Sequence, residues 1–73
     1  MSRTEVNAGI SGTVWKIEVA LGQTVQEDES LMIIESMKME IPVLSPGRGV
    51  VAEILTTEGA VVGEDLVVVV LNS

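Results

Sequence analysis

Cysteine and histidine are both missing from this chain, and Trp15 is its single aromatic residue. Without cysteine there is no disulfide framework, and with neither residue the usual zinc ligand sets cannot be assembled. Acidic residues remain, but the main cluster, Glu27-Asp28-Glu29, is consecutive, so its side chains splay apart. Neither a metal site nor a general acid–base pair can be written from it. Positive charge is equally scarce: Arg3, Lys16, Lys38 and Arg48 stand against eleven acids, for a net charge of −7. Such a surface repels a phosphate backbone, so nucleic acid is excluded as a partner. No apolar run approaches the ~18 residues of a membrane helix, and Met1-Ser2-Arg3-Thr4-Glu5 lacks the apolar core of a signal peptide. These absences describe a cytoplasmic protein without membrane contact. Its acidity keeps it soluble and discourages self-association, so a monomer in isolation is expected.

What is present is apolar and β-branched. The 73 residues are 47% hydrophobic, dominated by valine, isoleucine and leucine, which points to an all-β fold. The length allows one domain, residues 1–73. A chain this short buries only ~60% of the surface it exposes when unfolded, so its core must be efficient. The sequence also repeats itself. Val6, Ala8, Gly9, Gly12, Val14, Ile17, Gly22, Val25 and Asp28 match Val43, Ser45, Pro46, Gly49, Val51, Ile54, Gly59, Val62 and Asp65 at a constant spacing of 37. Beyond Asp65 the spacing reads as one residue shorter, with Leu31 answering Val67 and Ile33 answering Val69. Two copies are too few for a solenoid, so two pseudo-symmetric halves closing on each other are predicted. Each half reads as an extended segment, a glycine turn, a long strand, a second glycine turn, a short strand, an acidic turn and a last strand.

Alternation gives the faces. In Val14-Trp15-Lys16-Ile17-Glu18-Val19 it places Trp15, Ile17 and Val19 toward the core and Lys16 and Glu18 toward water. Ser45-Pro46-Gly47-Arg48-Gly49 reads as a loop with a tight turn. Val67 to Leu71 is an unbroken apolar run, the mark of a strand buried on both faces. No segment has the period and caps of a helix.

Near the middle of the chain lies Glu35-Ser36-Met37-Lys38-Met39-Glu40, between the apolar runs Leu31-Met32-Ile33-Ile34 and Ile41-Pro42-Val43. The pattern is two strands and a short turn, with Lys38 raised at its tip. A turn lysine is ordinarily a solubilising residue. Methionine, however, is neither a turn former nor a surface residue by preference, and two of the four methionines flank this lysine. Core packing accounts for Met32 as readily as a role in the motif does; it accounts poorly for Met37 and Met39.

Glu35-Ser36-Met37-Lys38-Met39 resembles the attachment motif of the biotinyl domains, the biotin carboxyl carriers, in which the central lysine is joined to biotin by an amide. The related lipoyl domains usually carry Asp-Lys-Ala there. The resemblance runs from about Val6 to Leu71 and takes in Gly12-x-Val14, Gly22-x-x-Val25 and Ser45-Pro46-x-x-Gly49-x-Val51. It implies a flattened β-barrel, or barrel-sandwich hybrid, of two four-stranded antiparallel sheets with quasi-two-fold symmetry. The lysine hairpin stands at one end and the two termini meet at the other. The chain departs from the pattern where Asp28 and Asp65 replace turn glycines. It also lacks the extra "thumb" loop and so looks like the small free-standing biotin/lipoyl attachment proteins.

The resemblance also implies a function. Lys38 accepts biotin from the adenylate held by a biotin protein ligase. Lysine attacks only as the neutral amine and is protonated in neutral water, so removing the proton falls to the ligase. Met37, Met39, Ser36 and Glu35 shape the recognised tip. The biotin arm then shuttles a carboxyl group between biotin carboxylase and carboxyltransferase partners, and the carrier has no catalytic residues of its own. Two alternatives stand beside this: a lipoyl-type or dual biotin/lipoyl swinging-arm carrier, and an unmodified adaptor barrel of the kind found in membrane-fusion proteins, which lacks the lysine motif.

Overall fold

Strand follows strand through the whole of the computed structural model, which describes residues 2–73. The eight strands are β1 (Arg3–Asn7), β2 (Gly12–Ile17), β3 (Thr24–Val25), β4 (Ser30–Ser36), β5 (Met39–Leu44), β6 (Gly49–Ile54), β7 (Val61–Val62) and β8 (Val67–Asn72). They form two four-stranded antiparallel sheets, ordered β1-β8-β6-β3 and β5-β4-β2-β7. Adding 37 to each residue number turns β1 into β5, β2 into β6, β3 into β7 and β4 into β8, so one sheet order maps onto the other. The predicted barrel-sandwich with quasi-two-fold symmetry is the fold observed.

The backbone hydrogen bonds obey the same rule. Glu18 N donates to Leu31 O at 3.0 Å, and Leu55 N donates to Val68 O at 2.8 Å. Gly22 N donates to Val51 O and Gly59 N to Val14 O, each half clasping the other. Gly22 and Gly59 both hold positive φ, 85° and 90°, which glycine adopts without steric penalty. Asp28 sits at φ 68°, an aspartate tolerating the left-handed conformation in a turn. Asp65 is not among the positive-φ residues.

Two sequence expectations need correction. The spacing of 37 does not shorten after Asp65. Val14 pairs with Ile34 and Val51 with Leu71; Ile17 pairs with Met32 and Ile54 with Val69. Leu31 therefore answers Val68, and Ile33 answers Val70. A run of four valines matches itself at any shift, so residue similarity cannot fix its phase; only the ladder can. Trp15 is the second correction. Register slips between Val14 and Lys16, so a β-bulge interrupts the alternation there. Val14 is fully buried and Trp15 is 51% exposed; Ile17 is half-buried and Val19 buried as expected.

The core lies between the sheets, built from Val6, Val14, Val25, Leu31, Met32, Ile34, Val43, Val51, Val62, Val68, Val69 and Leu71 with smaller neighbours. β8 runs between β1 and β6 and is buried on both faces, as its unbroken apolar run predicts. Val70 is paired in register with Glu5 on one side and Glu53 on the other, yet is fully buried. The Arg3–Glu53 ion pair, at 2.8 Å, joins β1 to β6 across this strand. Being half-exposed, the pair contributes at most about 1 kcal/mol.

The molecule measures 36 × 17 × 17 Å. Ser2 and Ser73 exchange backbone hydrogen bonds at 3.2 and 3.0 Å. The pseudo-two-fold carries these end residues onto Met39 and Ser36, so the β4–β5 hairpin occupies the opposite end of the long axis.

Candidate functional site

β4 and β5 pair from Ser30–Leu44 up to Ser36–Met39, leaving Met37 and Lys38 as a two-residue loop. The sequence reading placed the whole Glu35–Glu40 stretch around a turn; in the structure Glu35, Ser36, Met39 and Glu40 are strand residues. Met37 has φ 51° and Lys38 φ 67°. Two consecutive left-handed residues make a type I′ turn, whose twist matches the flanking strands. Asn-Gly is its usual occupant. For an L residue with a full side chain the left-handed conformation costs roughly 1–2 kcal/mol, so Met-Lys strains the turn.

The hairpin withstands this because its base is rigid. Ile34 and Met32 of β4 are fully buried. Gly12 on β2 lies so close to β4 that a Cβ there would clash with the Glu35 carbonyl and stand 2.8 Å from Ile34 Cγ2. Glycine at position 12 is thus what lets β2 press against the strand carrying the lysine. A Cβ on its repeat mate Gly49 would likewise stand only 3.0 Å from Asn72 O. Both glycines were visible in the sequence as a repeated pair, but their close approach was not.

Lys38 is exposed at the tip. Glu35 and Glu40 face each other across the strands, both exposed. Like charges directly opposite weaken a hairpin. Among the described residues Arg3–Glu53 is the one ion pair, so neither glutamate holds the Lys38 ammonium. Met37 is 93% exposed and Met39 63%; Ser36 is half-buried. All five residues singled out in the sequence lie at this one end. Met32, by contrast, belongs to the core. Strain and like-charge apposition concentrated at one turn mark a place where local rules yield to function.

The strain can be measured. Replacing Met37-Lys38 by Asn-Gly should raise the melting temperature by roughly 4–8 °C for each kcal/mol of strain relieved. An unchanged or lower melt would mean that the turn is relaxed as it stands.

The described residues contain no helix, and so none long and apolar enough to cross a membrane. Fold and turn together make a stiff barrel presenting an unpaired lysine on a strained tip. The sequence pattern of the family described as "Biotin-requiring enzyme" matches residues 4–71. The biotin/lipoyl attachment protein of Bacillus subtilis is 35% identical over 68 residues, covering 93% of both chains. The biotin carboxyl carrier protein of Streptococcus mutans is 38% identical over 64 residues, 85% of this chain and 49% of its own length. Among solved structures, the urea carboxylase of Kluyveromyces lactis superposes with a TM-score of 0.92 at 29% identity; the match covers 99% of this chain and 6% of that one. This chain belongs to the biotin/lipoyl attachment family. It spans nearly all of the Bacillus protein but only a small part of the carboxylase.

Proposed function

We propose that this chain is a biotin carboxyl carrier in which Lys38 bears the biotin, with residues 1–73 forming one attachment domain. The observation that carries the assignment is the left-handed Met37-Lys38 turn, which lifts one unpaired amine clear of a rigid barrel. The family, the Streptococcus relative and the carboxylase likeness support biotin as the group carried.

The residues at the tip suit a covalent arm. Lys38 Nζ has no carboxylate partner to be torn from, so acylating it breaks no ion pair. It gives up a proton to the ligase and attacks the acyl carbon of the ligase-held biotinyl-adenylate, forming the amide as the acyl–phosphate bond breaks and AMP leaves. The product is uncharged and leaves Glu35 and Glu40 as the local charge. Met37 and Met39 offer exposed, adaptable apolar contacts on either side of the acceptor, and Ser36 pairs with Met39 to hold their spacing. When bound, biotin supplies the carboxyl-carrying chemistry. The domain supplies address and orientation: a tethered group meets a partner site at an effective concentration of about millimolar.

The partners on this reading are a biotin protein ligase, which modifies Lys38, and biotin carboxylase and carboxyltransferase components that the arm visits in turn. The domain works as a monomeric carrier in the cytoplasm and performs no catalysis itself. Intact-mass measurement after co-expression with a biotin ligase provides the test. The expected result is a gain of one biotin per chain, mapped to Lys38 by peptide sequencing. An unmodified chain, or one carrying lipoate in its place, would overturn the assignment.

A further inference from the structure

The pseudo-two-fold gives the molecule an internal control, because each surface feature near the tip has a counterpart near the termini. One feature has no like counterpart. Where the end of β6, the 55–60 loop, the start of β7 and the residue before β8 come together, Ile54, Leu55, Thr57, Ala60, Val61 and Leu66 line an open depression. Val61 is 82% exposed, and Leu55 and Leu66 are about half-exposed. Subtracting 37 gives the equivalent positions on the other flank. Leu55 becomes Glu18, Val61 becomes Thr24 and Leu66 becomes Glu29. There the side chains are knitted by polar contacts: Ser30 Oγ donates to Glu18 at 2.6 Å, and Gln26 N donates to Glu29 at 3.1 Å. The other half of the barrel thus folds with polar residues at the equivalent positions. Leu21 is the exposed apolar residue of the polar flank, standing where the other flank has Glu58.

The two flanks also differ in place. Val61 pairs with Thr13, and Thr13 with Glu35, two residues before Met37. Thr24 pairs with Val50, and Val50 with Asn72, beside the chain ends. The apolar flank is thus the one at the lysine end. Two inter-strand spacings, about 10 Å, separate Val61 from β4. The patch is also held still, since Glu58 accepts a hydrogen bond from Ile17 N at 2.9 Å and anchors the 55–60 loop to β2. Glu58, Glu64 and Asp65 are exposed around it.

We propose that Leu55, Val61 and Leu66 form the docking surface for the enzyme that charges the arm, a biotin carboxylase face that is apolar at its centre and basic at its rim. This rests on the reading of Lys38 as the biotin-bearing residue. Before charging, the arm is an uncharged amide ending in a neutral ring, so it offers a partner no charge to steer by. The protein can add the charge and apolar contact that the arm lacks, and an apolar centre with an acidic rim is the address it carries near the tip. A second copy of this chain would bring acidic rim against acidic rim at a net charge of −7, which opposes self-docking. The ligase, in contrast, acts on the tip itself.

The test transplants the polar flank onto the apolar one in L55E/V61T/L66E, with L55T/V61T/L66T as a neutral companion. Both are melted beside the parent and labelled with biotin ligase, then used as substrates for the biotin carboxylase of the source organism. Free biotin serves as the control substrate. Both variants should melt near the parent and be labelled at its rate, yet raise KM at least ten-fold with kcat unchanged. In parallel, titrating isotope-labelled, unbiotinylated domain with the carboxylase should shift amide resonances of residues 54–61 and 66 in the parent and leave them still in the variants. Unchanged KM, shifts confined to the tip or to the Glu18–Glu29 flank, or an effect seen only with the charged variant would overturn the docking surface. So would slowed ligase labelling. A parent chain that takes no biotin at all is a separate result: it removes the carrier reading, while the titration still judges the surface.

Discussion

A Lys38→Arg chain incubated with biotin ligase, ATP and biotin should keep its unmodified mass and give no streptavidin signal, while melting with the parent. Arginine keeps the positive charge, but its guanidinium does not lose a proton in proteins, so it cannot become the nucleophile that an acyl transfer needs. The parent's other lysine, Lys16, lies in β2 between β4 and the 58–60 loop. It pairs with Ile33 and follows the bulge at Trp15. A ligase pocket that encloses a protruding turn cannot enclose a lysine held within a paired strand without opening the sheet. The expected effect is therefore all or nothing. Residual biotin on the variant would show either that Lys16 is reachable or that Lys38 is not the acceptor.

The methionines should separate just as sharply, though in stability as well as labelling. Met32 is fully buried beneath the hairpin and Met37 is 93% exposed. Emptying a buried methionine site costs ~2–5 kcal/mol, whereas exposed truncations usually stay within ~0.5 kcal/mol. A small domain has only about 5–15 kcal/mol in all, so Met32→Ala should melt more than ~10 °C below the parent. Below its melting point it should still be labelled at the parent rate. Met37→Ala and Met39→Ala should melt close to the parent and be labelled more slowly by biotin ligase. Thermal melts and labelling time courses on the same preparations check both halves. Parent-rate labelling together with a large loss of stability in Met37→Ala or Met39→Ala would make those side chains structural and leave the acceptor lysine without its proposed flanks.

Much of this was legible in the residues. β-branched runs broken by glycine and acidic turns read as short strands, and the strands are there. The nine-residue match at a spacing of 37 read as a pseudo-two-fold, and the ladder registers obey it. The misreadings have physical causes. Alternation assumes an unbroken pleat, and the bulge at Trp15 breaks it, turning the lone aromatic outward and Val14 inward. Phase within Val67–Val70 was undetermined because identical side chains carry no register information. Around Lys38 the chain lacks glycine and asparagine, so nothing local announced a type I′ turn.

The sequence by itself determined the class of fold, the symmetry and the single lysine with methionines on both sides, because these follow from composition, periodicity and a short motif. Only the tertiary structure decided how that lysine is presented and what surrounds it. The left-handed turn exists because β4 and β5 are clamped by a buried base and by the close approach at Gly12. The apolar flank becomes one surface only when the end of β6, the loop after it, β7 of the other sheet and Leu66 come together. Both depend on contacts between residues far apart in the chain, and a linear pattern does not record such contacts.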